Sequence, residues 1–218
     1  MGQRSQIYVR YENRGWVKGQ RADGHWGFIA AATNKSLIAR YYQWNYGERM
    51  ISRAAHSIAW LKESAGTLYG EENKAIRILD TNFDMCDVQI SSDIIQEWKE
   101  WGNADTFRED VFEEQDNNNG QLFIDVDLEG NIKYAFTHPY AKKEVLTATE
   151  YMQEDFDDWE TSEYISDDGK QTCRENLAWI EANATLMTDE ELEEFKNYDY
   201  KIEKPQKEQT VDNEIEML

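Results

Sequence analysis

Gln121-Leu-Phe-Ile-Asp-Val-Asp-Leu-Glu-Gly-Asn-Ile-Lys-Tyr-Ala-Phe-Thr137 is the stretch on which the fold turns. Leu122, Ile124 and Val126 recur at every second position, as do Ile132, Tyr134 and Phe136. That period places alternate side chains on one face of a strand. Glu129-Gly130-Asn131 supplies turn chemistry between the two runs, so the stretch predicts a β-hairpin. Upstream, residues 5–11 alternate Ile7, Val9 and Tyr11 against Tyr8 and Arg10, which predicts another strand. The ring-rich residues 36–44 predict a third. Residues 14–27 place a glycine every three to five positions and read as a loop or hairpin excursion. The apolar run 28–32 suits either kind of element.

Helical spacing dominates elsewhere. Ile51, Ala54, Ala55, Ile58 and Leu61 recur at threes and fours, so 48–64 predicts a helix that Gly66 stops. Residues 73–80 and 91–101 also read as helical. In the second of these Ser91 or Ser92 is the expected cap, and Ile94, Ile95, Trp98 and Trp101 the apolar stripe. Asp116-Asn-Asn-Asn-Gly120 is a loop. Thr147 with Glu150 fits a capping box that opens a helix to about Trp159. A helix over 172–184 carries Leu177 and Ile180, and Thr188 caps a last one with Leu192 and Phe195 inward. The pattern is α+β, a small antiparallel or mixed sheet packed with about five or six helices in one domain over 1–198. Residues 199–218, rich in Lys, Glu and Gln, read as a solvated tail.

Eight Trp, twelve Tyr and eight Phe offer enough ring area for a core despite a net charge of −21, which excludes wholesale disorder. Cys86 and Cys173 are far apart and match neither a disulfide framework nor a zinc signature, so two buried or half-buried thiols in a reducing cytoplasm are expected. No apolar run approaches membrane-spanning length, and no membrane contact is expected. Charge is polarised along the chain. Residues 1–66 carry ten Lys/Arg against four Asp/Glu, whereas residues 67–218 carry thirteen against forty. Either the fold interleaves the two parts and the basic third neutralises acidic surface, or an acidic face is presented to a partner. Such a face repels phosphates, so direct nucleic-acid binding is not expected. It suits instead a protein with a basic cleft, which an acidic surface could fill as a nucleic-acid mimic.

Few residues carry a signature of chemistry. Asp125, Asp127 and Glu129, followed by Gly130 and an apolar Ile132, match the opening half of a calcium loop. Phe136 stands where the bidentate Glu is required and Lys133 at another ligand position, so an acidic hairpin tip is the simpler reading. A divalent cation is the one cofactor suggested, and weakly. Asp80, Asp84 and Asp87 are spaced for one helix side, a spacing that forty-four acidic residues produce by chance. His25, His56 and His138 sit in no catalytic motif, and a turn role suffices for His138, which precedes Pro139. Arg14, Trp16, Lys18, Arg21, His25 and Trp26 interleave cations with rings. That is either a single-strand nucleic-acid contact or a surface hairpin whose Trp residues pack back on the domain. Residues 41–49 are the densest aromatic and polar cluster. Tyr42, Trp44, Tyr46 and Arg49, together with Arg10, form the candidate binding set, with packed core rings as the alternative.

Met1-Gly-Gln-Arg-Ser-Gln-Ile-Tyr-Val-Arg10 and Gln43-Trp-Asn-Tyr-Gly-Glu-Arg49 resemble segments of uncharacterised phage and prophage proteins, which pair a Gln-Ile-Tyr-Val-Arg-like strand with a Gln-Trp-x-Tyr-Gly segment. Many of those proteins have His where Ser5 stands here. The resemblance covers about the first sixty residues, implies a mobile-element origin and supplies no catalytic residues. The expectation is a phage-type binding protein that inhibits a host or defence-system protein through an acidic surface. The alternative is a small enzyme, or a nucleotide-sequestering protein, with its pocket at 41–49.

Overall fold

Apolar side chains in the 121–137 hairpin point both ways: Leu122, Phe123 and Ile124 are all fully buried, as are Ala135 and Phe136. A strand with two apolar faces needs cover on both. The computed structural model of the chain, which describes residues 3–68, 72–86 and 90–202 apart from the side chains of 15–17 and 30–32, supplies that cover with helices on each side of the sheet. The strands are β1 (Arg4–Gln20), β2 (Trp26–Gln43), β3 (Ser91–Asp93), β4 (Gln121–Val126), β5 (Ile132–Thr137) and β6 (Thr185–Leu186). The helices are α1 (Gly47–Ser64), α2 (Glu72–Asp80), α3 (Ile94–Trp101), α4 (Ala148–Asp155), α5 (Asp167–Asn183) and α6 (Asp189–Asn197). A 3-10 turn at Ala104–Thr106 and a π turn at Glu109–Glu113 lead into β4. The fold is α+β.

The sheet is mixed, in the order β3-β2-β1-β4-β5-β6. β1 pairs with β4 in parallel, Gln6 opposite Gln121 through Tyr11 opposite Val126, and β5 pairs with β6 in parallel; the remaining pairs are antiparallel. Alternation sorts the core. Ile7, Val9, Tyr11, Ile38, Tyr42, Leu122 and Ile124 face α1, α2, α4 and α5. Tyr8, Ala39, Phe123 and Ala135 face α3, the π turn and α6. The second layer is largely aromatic: Tyr8 stacks on Phe123 at 4.8 Å, and Phe195 meets Phe123 edge-on at 5.4 Å. Each such ring contributes about 1.5–3 kcal/mol through burial.

Beyond Tyr11 and Arg40 the β1–β2 pair has no third strand among the described residues, and it runs on as a two-stranded arm to Gln20 opposite Trp26. Residues 14–27 and 28–32 are therefore the arm's strands and turn, with a bulge between Arg14 and Trp16. The arm's Trp26 does not pack back on the domain; it is 72% exposed.

Local signals fare well where the physics is local. Thr147 and Thr188 both form full capping boxes, with Glu150 and Glu191 reaching back. Gly66, at φ +73, ends α1. Other expectations need correction. Ser91 and Ser92 belong to a short edge strand, and Asp93 caps α3 by accepting from the Gln96 N–H. Trp101 leaves the apolar stripe and is 86% exposed. α4 ends at Asp155, short of Trp159, and α5 begins at Asp167 on a Ser166 cap, five residues before the periodic segment. The solvated tail expected from Asp199 does not start there, since Tyr200 is buried against Phe107, Phe112 and Phe195. Residues 203–218 lie outside those described. Cys173 is buried, which pushes its thiol up to about 12, and Cys86 is half-buried.

The capping boxes carry a pH dependence. A hydrogen bond from Lys143 holds the Glu150 carboxyl below its ordinary value, and one from Lys133 does the same for Glu191. Because these values are lower in the folded chain, the stabilisation is complete above the ordinary Glu value of 4.5 and is lost as pH falls through the folded values. Thermal melts followed by circular dichroism at pH 6 and pH 3 should therefore show a smaller acid loss in the Glu150→Gln, Glu191→Gln double variant than in the wild type.

Candidate functional site

Gln43 to Arg49 link the end of β2 to the start of α1, and most of the segment is tied down by the chain around it. The Trp44 N–H donates to the Gln3 carbonyl at 2.7 Å, and Trp44 itself sits at φ +68, a left-handed conformation that such a bulky residue rarely adopts. Asn45 is fully buried. Its carbonyl accepts from Ser5 Oγ at 2.5 Å, its Nδ2 donates to Ser5 Oγ at 3.1 Å, and its Oδ1 accepts from Arg53 Nε at 3.0 Å. Tyr46 is the N-cap of α1 but offers no side-chain cap. That role falls to Asp155 at the end of α4, whose Oδ2 accepts from the Gly47 N–H at 2.6 Å. A carboxylate there also meets the positive end of the helix dipole.

Asp155 is a hub. Oδ1 accepts from Asn119 Nδ2 at 2.7 Å, Oδ2 accepts from the Tyr151 hydroxyl at 3.2 Å, and His138 Nε2 lies 3.4 Å from Oδ1. The His138 and Asp155 side chains are 3% and 1% exposed. His138 is therefore more than a turn residue: it joins the end of β5 to α4. Its Nδ1 is buried without a hydrogen-bond partner among the described residues. Gly120 fits beside this group only without a side chain, because a Cβ would stand 2.4 Å from the Thr137 carbonyl and 2.7 Å from Tyr151 Cε2, at φ +87.

Arg53 is a second buried hub that the spacing of apolar residues along α1 concealed. It is fully buried, its Nη1 donates to the carbonyls of Leu79 and Thr81, the latter at 2.7 Å, and its guanidinium stands 5.0 Å over the Tyr42 ring. Those carbonyls lie at the C-terminal end of α2, where a cation opposes the helix dipole favourably. The Tyr42 hydroxyl donates to the same Leu79 carbonyl at 3.1 Å, and burial raises its pKa well above the ordinary value.

The five candidate binding residues are thus not one site. Tyr42 is core. Arg10 lies on the opposite face of the sheet, 3% exposed, in a two-pronged pair with Asp125 at 2.9 and 2.6 Å and under the Phe195 ring at 4.8 Å. Only Trp44, Tyr46 and Arg49 meet near the surface, where the Arg49 guanidinium stands 5.4 Å over the Tyr46 ring. None of the cavities of about 380, 330, 290 and 200 Å³ is lined by a residue of the 41–49 segment. The largest, about 380 Å³, lies across the molecule between Trp98, Phe107, Arg108 and Tyr198–Ile202.

The acidic candidates are dispersed in the same way. Asp125 is committed to Arg10, and Asp127 accepts from the backbone N–H groups of Glu129 and Asn131 and from Asn131 Nδ2, closing its own turn. Burial is the largest single influence on Asp127 and opposes its ionisation, but the hydrogen bonds together outweigh it and lower the pKa. Asp80 pairs with Arg40 at 2.5 Å, Asp84 offers its backbone carbonyl to Ser52, and Asp87 lies outside the described residues. No three His, Cys, Asp or Glu side chains converge as a metal set among the described residues. His56 stacks on Phe83 at 4.3 Å, and His25 is exposed at the arm's turn. No described helix is long and apolar enough to cross a membrane.

Comparison with protein-family models, curated proteins and solved structures finds no match to this chain.

Proposed function

We propose that this chain is a non-catalytic, phage-type binding protein that inhibits a basic host or defence protein through its acidic surface. The observation that carries this reading is how the fold disposes of the cations of its first third. Arg10, Arg40 and Arg53 are withdrawn into the core region, while Arg14, Lys18 and Arg21 are sent out along the arm. Much of the body's carboxylate is left facing solvent. Between Glu154 and Asp168 the exposed side chains include Glu154, Asp157, Asp158, Glu160, Glu163, Asp167 and Asp168, with Tyr164 97% exposed among them. A basic cleft built for phosphates is the complementary surface, and an exposed ring among such carboxylates is the kind of residue that anchors an interface. The mobile-element resemblance of the first sixty residues agrees with such a role.

The test is retention of a partner from nuclease-treated bacterial lysate on the tagged full chain, with an Asp157→Asn, Asp158→Asn, Glu163→Gln variant in parallel. One basic protein should be held at low salt, shed as salt rises, and bound at least tenfold more weakly by the variant. A partner indifferent to both changes would exclude the acidic surface as its contact.

A further inference from the structure

Two strained residues border the acidic segment. Trp44 and Met85, at φ +68 and +67, are two of the three non-glycine residues at positive φ among the described residues. That conformation is rare for bulky side chains and is ordinarily left to glycine. Phe156 lies over Gly47, where an added Cβ would stand 3.7 Å from its ring, and the Gly47 N–H is itself bonded to Asp155. Met85 reaches the start of α5, where a Cβ on Gly169 would meet its Sδ and Cε at 2.9 Å and Ile165 Cγ2 at 3.1 Å. Cys86 donates from Sγ to the Arg49 carbonyl at 3.2 Å. The 44–49 turn, Met85–Cys86 and the acidic segment from Glu154 to Asp168 are therefore packed side by side. Within that region the Trp44 ring is 44% exposed, and Ile90, whose carbonyl accepts from the Gln43 N–H at 2.9 Å, is 64% exposed next to it. A strained backbone that holds up an uncovered ring points to a use outside the fold.

We propose, resting on the function inferred above, that Trp44 anchors the partner contact: its indole, with Ile90 beside it, packs on a Lys- or Arg-bearing surface of the basic protein that the carboxylates of 154–168 attract. The surroundings select that occupant. None of the four cavities is lined by Trp44, Tyr46 or Ile90, and an open surface suits a protein better than a small molecule. Asp157 and Asp158, exposed directly after Phe156, repel the phosphates of a nucleic acid and equally the carboxylates of a second copy. Arg49 is engaged over the Tyr46 ring, and the exposed carboxylates of 154–168 outnumber it. The cations those carboxylates attract are also the groups that bind the face of an exposed indole. The two parts then act at different stages. Carboxylates steer the encounter and set the association rate, whereas a desolvated tryptophan holds the complex and sets the dissociation rate.

The test takes the basic protein retained from lysate, purified, and measures its binding by biolayer interferometry to the full chain and its variants. Trp44→Gly and Trp44→Ala should each dissociate at least tenfold faster than the wild type, with association and its salt dependence nearly unchanged. The Asp157→Asn, Asp158→Asn, Glu163→Gln variant should instead associate more slowly. Trp101→Ala, which removes a ring 86% exposed on α3, should match the wild type. Stability separates an anchor from a structural residue. Glycine accepts φ +68 and alanine does not, so Trp44→Gly should melt about 2–4 °C above Trp44→Ala. The two should nonetheless bind equally weakly. Binding by Trp44→Gly within threefold of the wild type overturns the anchor, as does binding that recovers from Ala to Gly in step with melting temperature. In either case a carboxylate variant that still associates slowly leaves the acidic surface standing. A wild type that retains no basic protein, or one indifferent to salt and to the carboxylate changes, removes both.

Discussion

Asp155→Ala is expected to lower the unfolding free energy by about 3–5 kcal/mol, the range for removing a buried hydrogen-bonded charge. The side chain is 1% exposed and receives the Gly47 N–H, Asn119 Nδ2 and the Tyr151 hydroxyl, with His138 Nε2 alongside. Alanine strands the Gly47 N–H and Asn119 Nδ2 away from water, each at about 1–3 kcal/mol before relaxation, whereas the Tyr151 hydroxyl keeps the Asn119 carbonyl at 2.8 Å as its acceptor. It also removes the N-terminal cap of α1, which Tyr46 cannot replace. Against a typical domain stability of about 5–15 kcal/mol the loss is large. Asp155→Asn tests the role of charge. The amide keeps one acceptor but presents N–H groups to at least one donor, so it should lose a substantial part of the same stability. Urea denaturation of the three proteins at pH 7 measures both. A change below about 1 kcal/mol for alanine would mean that water takes over the carboxylate's place, and Asp155 would lose its standing as the hub.

Arg53→Met is expected to cost about 3 kcal/mol or more, although methionine fills much of the same space. The guanidinium does what an apolar side chain cannot: it closes the Leu79 and Thr81 carbonyls at the end of α2 and holds Asn45 Oδ1. Methionine would leave the Thr81 carbonyl and Asn45 Oδ1 short of a donor and the Leu79 carbonyl with the Tyr42 hydroxyl in place of two. Arg53→Lys keeps the charge but not the fork that reaches acceptors on two sides, so its loss should fall between wild type and Met. The check is again urea denaturation, read alongside near-ultraviolet circular dichroism for the packing of Tyr42. If Lys proved equal to wild type, charge at the end of α2 would suffice and the link to Asn45 would be incidental.

Both hubs bear on the 41–49 segment. Asn45, bonded to Ser5, and Gly47 are joined to Arg53 and Asp155 by hydrogen bonds within the fold. The stretch that looks most like a site in the sequence is largely a joint between β2 and α1. Polar groups gather there because a sharp turn whose Asn45 and Gly47 are buried must satisfy its own backbone.

The sequence alone determined whatever depends on near neighbours. The 121–137 hairpin, the α1 stripe from Ile51 to Leu61 and the Thr147 and Thr188 capping boxes all stand where side-chain period and cap chemistry put them, because the residues that decide each lie within a turn or a strand of one another. The α+β class follows from the mixture of these periods. Only the tertiary structure decided the parallel pairing of β1 with β4 across more than a hundred residues, which no local pattern encodes. It also decided the fate of single polar residues. Arg10, Arg53, Asp125, His138 and Asp155 look like any other charged or polar groups in a chain of −21, yet burial makes each depend on partners from distant elements. The arm shows the same division. Its glycines and alternating rings were visible as an excursion, but that it stands clear of the body, with Trp26 and Phe28 uncovered, depends on β3 and β4 ending short of it.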